Sequence, residues 1–160
     1  MKSIAQQLEE APLHRFANWP VRDIPRVTAG IYAIFDGSDR FLYVGMAGAG
    51  LNVSAIEKNR SAGKQSGLID RLASHATGYR SGDRFDIYIG DLFVLPNLSS
   101  DQVAAIANRE LSFGSLIKQW IRDNLTFRYI ELSNTEVRVA ERHIREFGLG
   151  GFRPTINPRG

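Results

Sequence analysis

Two short stretches rich in β-branched and aromatic residues, Thr28 to Phe35 and Arg40 to Met46, flank Asp36-Gly37-Ser38-Asp39. No other feature constrains the chain as tightly, because two such runs around a Gly-containing tetrapeptide predict a β-hairpin. Gly37-Ser38 suits a two-residue type II′ turn, which sets Tyr32 opposite Tyr43, Gly30 opposite Gly45 and Ile34 opposite Phe41. Direct partners share a face, so the two phenols are expected side by side. A glycine stands beside each tyrosine and leaves room for another backbone or a ligand. A turn at Asp36-Gly37 instead slides this register by two residues. Read without function, the pair is an ordinary cross-strand aromatic contact.

The rest of the chain alternates helix and strand signals. A short helix from Ser3 to Glu10 precedes an irregular arm through Pro12, Pro20 and Pro25. Ala47 to Gly67 reads as a basic surface loop with one helical turn near Val53 to Lys58. A helix from Leu68 to Thr77 is expected to stop at Gly78. Phe85 to Ile89 alternates like a strand and continues toward Leu95. Ser99 and Gln102 form a capping box for a helix to about Ser112. Phe113, Leu116, Ile117, Trp120 and Ile121 form a core-facing helical stripe. Phe127 to Leu132 is the expected third strand, with Phe85 to Leu95 as a further one. A second capping box, Ser133 to Glu136, opens the last helix from Asn134 to Phe147, which ends at Gly148. The tail from Gly150 is irregular and held by Pro154 and Pro158.

These elements predict an α/β chain of the α+β kind, a small central antiparallel sheet flanked by helices. With 160 residues, it divides into an N-terminal helix and arm (1–27) and one domain (28–160), with added segments at about 47–67 and 84–124. The absence of cysteine excludes disulfides, zinc ribbons and thiol nucleophiles and fits a reducing, cytoplasmic setting. No apolar run is long enough for a membrane span, and the start lacks the apolar stretch of a signal peptide. A formal charge of +3 leans toward a polyanionic partner.

Two further constellations carry chemistry. On the last helix Val137, Ala140 and Ile144 form an apolar stripe, and Glu141 sits on its i+4 position. A carboxylate there must be paired, protonated or bound to a cation, since burying it alone is costly. Arg71 and His75 lie four apart on one helix and therefore face the same way. Arginine clamps phosphate in a fork, and histidine moves protons near neutral pH. The same pair is equally compatible with a solvated face.

Taken together these residues resemble the GIY-YIG nuclease superfamily. Gly30-Ile31-Tyr32 matches the first tripeptide of that name, and Tyr43-Val44-Gly45 the second with Val for Ile. Ten residues separate the tyrosines, as is usual there. Arg71 and His75 match an arginine and histidine four apart, Glu141 a metal-binding glutamate, and Asn157, between Pro154 and Pro158, a late asparagine. The resemblance spans Gly30 to Pro158. The two added segments are more typical of larger members, some restriction endonucleases among them.

The resemblance implies a stand-alone, divalent-metal-dependent endonuclease that hydrolyses DNA to 5′-phosphate and 3′-hydroxyl ends. One Mg²⁺ or Mn²⁺ would be bound through Glu141, an arrangement Mg²⁺ tolerates because it keeps much of its water. Tyr32 would be the general base, with a pKa lowered by the metal and nearby cations. His75 would assist it, Arg71 stabilise charge at the phosphate, Tyr43 orient water or phosphate, and Asn157 brace the site. Helices Leu68–Thr77 and Asn134–Phe147 are expected to bring Arg71 and Glu141 to the tyrosines. A Glu141 on the far side of the sheet from Tyr32 would sink this functional reading.

Lys58, Arg60 and Lys64, with Arg80 and Arg84, are the candidates for contacts to the DNA backbone. DNA is the expected partner, without membrane or organic cofactor. Two other classes compete: a non-catalytic nucleic-acid-binding module on the same fold, and a structural protein whose Glu141 pairs internally with Arg71. Gly45 to Gly50 looks like a phosphate loop, but no Gly-Lys-Ser/Thr follows. Asp36, Asp39, Asp83 and Asp86 flank strand-like segments, where turn and surface roles are the default.

Overall fold

In the computed structural model, which describes residues 2–157, the hairpin forms with a different turn. The Asp36 carboxylate accepts from the Ser38 and Arg40 N–H groups at 2.9 and 3.0 Å. The Asp36 N–H also donates to the Arg40 carbonyl, while Asp39 takes a left-handed φ of 59°. Gly37-Ser38-Asp39 is thus a three-residue loop, the geometry a side-chain-capped turn favours over the two-residue one. A bulge between Ile34 and Phe35 shifts the register again. Tyr32 therefore pairs with Gly45, Gly30 with Ala47 and Ile34 with Tyr43, not as the two-residue turn requires. The expected direct Tyr32–Tyr43 pairing is corrected to a diagonal one.

The hairpin strands β3 (Gly30–Phe35) and β4 (Phe41–Ala47) belong to a four-stranded antiparallel sheet. Strand β6 (Thr126–Glu131), the expected third strand, pairs with β3, and β1 (His14–Arg15) pairs with β6. The order is β1-β6-β3-β4. A separate parallel pair joins β2 (Val27–Thr28) to β5 (Ser66–Gly67). Helices flank the sheet, and the class is α+β.

Alternation along β3 builds a core on each face. Tyr32 and Ile34 join Phe127, Leu68, Leu72, Phe85 and Ile117 on one side. Ile31 and Ala33 join Val44, Leu8, Val137 and Ile144 on the other. Each fully buried large apolar side chain contributes roughly 1.5–3 kcal/mol. Helices α3 (Leu68–His75) and α6 (Phe113–Asn124) cover the Tyr32 face. Helices α1 (Ile4–Glu10) and α7 (Val137–Phe147) cover the opposite one.

Several expected elements change. Phe85 to Leu95 is not a strand: α4 (Arg84–Ile89) runs into a π-helical turn (Gly90–Val94) and a 3₁₀ turn (Leu95–Asn97). Asp83 caps α4, its carboxylate accepting from the Phe85 N–H at 3.0 Å. Phe85 and Ile89, four apart, then fall on one buried face, which alternation over five residues does not distinguish from a strand. The basic segment holds a nine-residue helix, α2 (Val53–Ser61), capped by the Asn52 side chain. Helix α5 (Ser100–Ala107) keeps its expected capping box and ends earlier than Ser112. The last helix begins at Val137, because Ser133 to Glu136 forms a turn in which the Glu136 carboxylate accepts from the Ser133 N–H at 3.1 Å. Gly78 and Gly148 have left-handed φ values of 69° and 86° past the ends of α3 and α7. Among the described residues, no helix is long and apolar enough to cross a membrane. Pro158 lies outside the described residues.

Candidate active site

Tyr32 lies nearly fully buried in β3, its hydroxyl oxygen 2.6 Å from His75 Nε2 on α3. It can lie flat over β4 because its strand partner is glycine. A Cβ on Gly45 would fall 2.2 Å from the Tyr32 oxygen. Gly30 is also hemmed in, since a Cβ there would meet the Ile130 carbonyl at 2.2 Å. The space beside the two glycines is taken by the protein itself, not held open for a ligand.

Tyr43 sits diagonally from Tyr32 on the same face, ring centroids 6.4 Å apart, and edge-on to the His75 ring at 6.0 Å. Burial pushes the Tyr43 phenol up to about 12 and the Tyr32 phenol well above its usual range. Each phenol raises or lowers with its neighbours' charge: Arg71 pulls both down, Asp83 and Glu141 push both up. The lowered Tyr32 pKa implied by the resemblance belongs to the metal-bound site; in the protein alone, loss of hydration outweighs the arginine.

His75 is the hub. Its Nδ1 lies 2.7 Å from Asp83 Oδ2, and both side chains are buried. The same Asp83 oxygen accepts from the Ser74 hydroxyl at 2.9 Å, and its other oxygen caps α4. Burial pushes the Asp83 carboxyl up, yet the bonds from His75, Ser74 and Phe85 N–H outweigh it and leave the pKa below the ordinary value. Burial lowers the His75 pKa, partly opposed by Asp83. At neutral pH the pair is therefore a carboxylate and a neutral imidazole.

Beside them is Asp86, fully buried, with no hydrogen-bond partner on either carboxylate oxygen among the described residues. Burial and then the Asp83 charge push its carboxyl up to about 8; the Tyr79 N–H pulls the other way from outside hydrogen-bonding geometry. The surface and turn roles expected for Asp83 and Asp86 are corrected, since both side chains are buried. The signal available was Asp83-x-x-Asp86, a helix-start spacing directly after Ser81-Gly82. Ligand atoms of His75, Asp83 and Asp86 lie within 4.8 Å of one another, a grouping compatible with a cation. Both His75 nitrogens are already engaged, so a cation there has to break the Asp83 or the Tyr32 bond.

Arg71, exposed on α3, lines a cleft of about 380 Å³ with Ser74, Ser66 and the Gly48–Gly50 turn. Glu141 reaches the region from the other side. Its helix packs on the face opposite the Tyr32 ring, chiefly against β4, the edge strand. Its carboxylate, 14% exposed, has a loose contact to Arg145 at 3.7 Å, and not the Arg71 pairing of a purely structural protein. Burial raises the Glu141 pKa, with Arg145 and Arg142 opposing.

Asn157 is a brace. Its side-chain oxygen accepts from the Val44 N–H at 2.7 Å and its amide donates to the Val44 carbonyl at 2.8 Å. The Ile156 N–H donates to the Leu42 carbonyl just before, so the tail covers the free edge of the strand bearing Tyr43 and Gly45. Lys58, Arg60 and Lys64 are exposed on and just after α2. Arg84 is exposed at the start of α4, whereas Arg80 stacks its guanidinium on the Phe113 ring at 4.9 Å.

No protein-family model matches the chain, and neither does any curated protein or solved structure compared with it.

Proposed function

We propose that this chain is a divalent-cation-dependent endonuclease acting on DNA. The observation that carries the proposal is the Tyr32 hydroxyl, hydrogen-bonded to His75 and lying within the fields of Arg71 and Glu141. The position of α7 on the opposite face counts against a site built on one face of the sheet. The proposed site therefore lies at the β4 edge, which α7 packs against from one face and α3 from the other.

Glu141 has the chemistry of a cation ligand. It is mostly buried, and the Arg145 guanidinium at 3.7 Å is too distant for a hydrogen bond, which leaves its oxygens with lone pairs for a cation. A bound Mg²⁺ or Mn²⁺ would neutralise charge on the phosphate and the leaving oxygen. Arg71 supplies a fork for phosphate oxygens at the mouth of the neighbouring cleft. Tyr32 takes the proton of an attacking water while its own passes to His75. Because Tyr32 is enclosed, the wall over its hydroxyl has to admit a water when DNA binds. Asn157 and the tail keep β4 fixed, and Lys58, Arg60, Lys64 and Arg84 extend the cationic surface toward flanking phosphates.

Incubation with plasmid, single-stranded, flapped and branched DNA, with Mg²⁺, Mn²⁺ or chelator, tests the proposal. Cleavage that chelator abolishes is expected. Binding of DNA without cleavage on every substrate favours a binding module instead.

A further inference from the structure

Asp83 and His75 meet in a geometry that fixes where one proton sits. Asp83 accepts from the Ser74 hydroxyl on Oδ2 and the Phe85 N–H on Oδ1, and His75 Nδ1 lies 2.7 Å from the same Oδ2. An ionised carboxylate has no proton to donate, so Nδ1 carries the hydrogen. A neutral imidazole protonated on Nδ1 has a bare Nε2, and the atom facing it at 2.6 Å is the Tyr32 hydroxyl. The phenol is therefore the donor and the imidazole the acceptor. All three side chains are buried, so water does not compete for these bonds.

We infer that Asp83 is a positioning residue that holds His75 ready to take the Tyr32 proton, an inference that rests on the nuclease reading above. As the water oxygen bonds to phosphorus, its proton moves to the Tyr32 oxygen and the phenol's original proton moves to Nε2. The P–O3′ bond breaks with its electron pair on O3′, which takes a proton from solvent. His75 is then an imidazolium, and the Asp83 carboxylate beside Nδ1 balances its charge. This supplies what a phenol with a raised pKa needs: it acts as base without ever being a free phenolate. The same logic of a carboxylate fixing an imidazole tautomer operates in serine hydrolases.

Burial of two carboxylates side by side is consistent with that role. Asp86 stands next to Asp83 without a hydrogen-bond partner among the described residues, and a second ionised carboxylate there would be strongly disfavoured. Asp83 is the one that stays ionised because it alone holds the three donors. Tyr43, Phe85 and the more distant Arg71 complete the surroundings of His75.

The test combines a spectrum with a cycle of variants. Nitrogen-15 NMR of the wild-type protein without DNA is expected to show His75 protonated on Nδ1 and bare on Nε2. Asp83→Asn is expected to lower single-turnover cleavage by about 10²–10⁴-fold while DNA binding persists. In a Tyr32→Phe background the same change is expected to cost little more, because the two residues serve one transfer. A wild-type His75 protonated on Nε2 overturns the inference, whatever the fate of the Asp83 variant. So does a folded Asp83→Asn protein that cleaves at the wild-type rate, or losses that simply multiply in the double variant. A wild-type protein with the expected tautomer that cuts no DNA refutes the nuclease reading instead, and the transfer with it.

Discussion

Tyr32 lies across Gly45, its hydroxyl oxygen only 2.2 Å from where a Cβ at position 45 would fall. The glycine is thus a condition for the Tyr32–His75 bond. Gly45→Ala forces the ring off β4 and breaks that 2.6 Å contact. Overpacking of this kind costs about 1–3 kcal/mol, and a buried donor losing its acceptor adds to it. Urea unfolding of the variant is expected to show a loss of at least that size, with cleavage impaired even where the protein remains folded.

Asp86 makes stability depend on pH in an unusual direction. Its native carboxyl is raised from 3.8 to about 8, so between those values the folded protein holds a proton that the unfolded chain has released. Stability attributable to this group falls as pH rises through that window, by up to ~1.4 kcal/mol per pH unit. His75 and Asp83, both lowered, act oppositely and lose stability as pH falls. Comparison of wild type with Asp86→Asn isolates the first effect. Denaturant midpoints at about pH 5.5 and about pH 7.5 are expected to favour the Asn protein increasingly at the higher value. Parallel pH profiles for the two proteins contradict a protonated Asp86.

What the sequence disclosed follows physical lines. The hairpin, the amphipathic α6, the cap at Ser99 and the third strand were all legible, because each rests on local periodicity or a side chain reaching three residues along. The register was not, since it turned on the Asp36 side chain closing a wider loop and on one bulge. Phe85 to Ile89 shows the limit of alternation: five residues fit either period, and the deciding contact is the cap from Asp83. The Tyr32 hydroxyl meets His75 on the helix that also carries Arg71, whereas the helix carrying Glu141 packs on the opposite face of the sheet. The interior placement of Asp83 and Asp86 was not legible, because their spacing marks a helix start but not which side of that helix is buried.

The basic segment offers a separate test. Lys58, Arg60 and Lys64 are exposed, and α2 presents two of them in its last turn. Replacing all three with Ala is expected to weaken DNA binding similarly on every sequence and to flatten its salt dependence, each lost phosphate contact lowering the slope by about 0.9. Fluorescence anisotropy across a salt series measures this. A changed sequence preference with an unchanged slope instead assigns these residues to base contacts.

The most direct measurement sets Glu141→Gln beside Tyr32→Phe, each assayed for cleavage, Mn²⁺ binding and DNA binding. Glu141 has a loose ionic neighbour and sits mostly buried, so its neutral replacement is expected to keep the fold or stabilise it. With Glu141 as the cation ligand, the Gln protein loses both cleavage and Mn²⁺ binding yet still binds DNA. Tyr32→Phe is expected to keep Mn²⁺ binding and lose about 10²–10⁴-fold in rate. A Glu141→Gln protein that binds Mn²⁺ and cuts DNA as the wild type does contradicts a catalytic centre at the β4 edge.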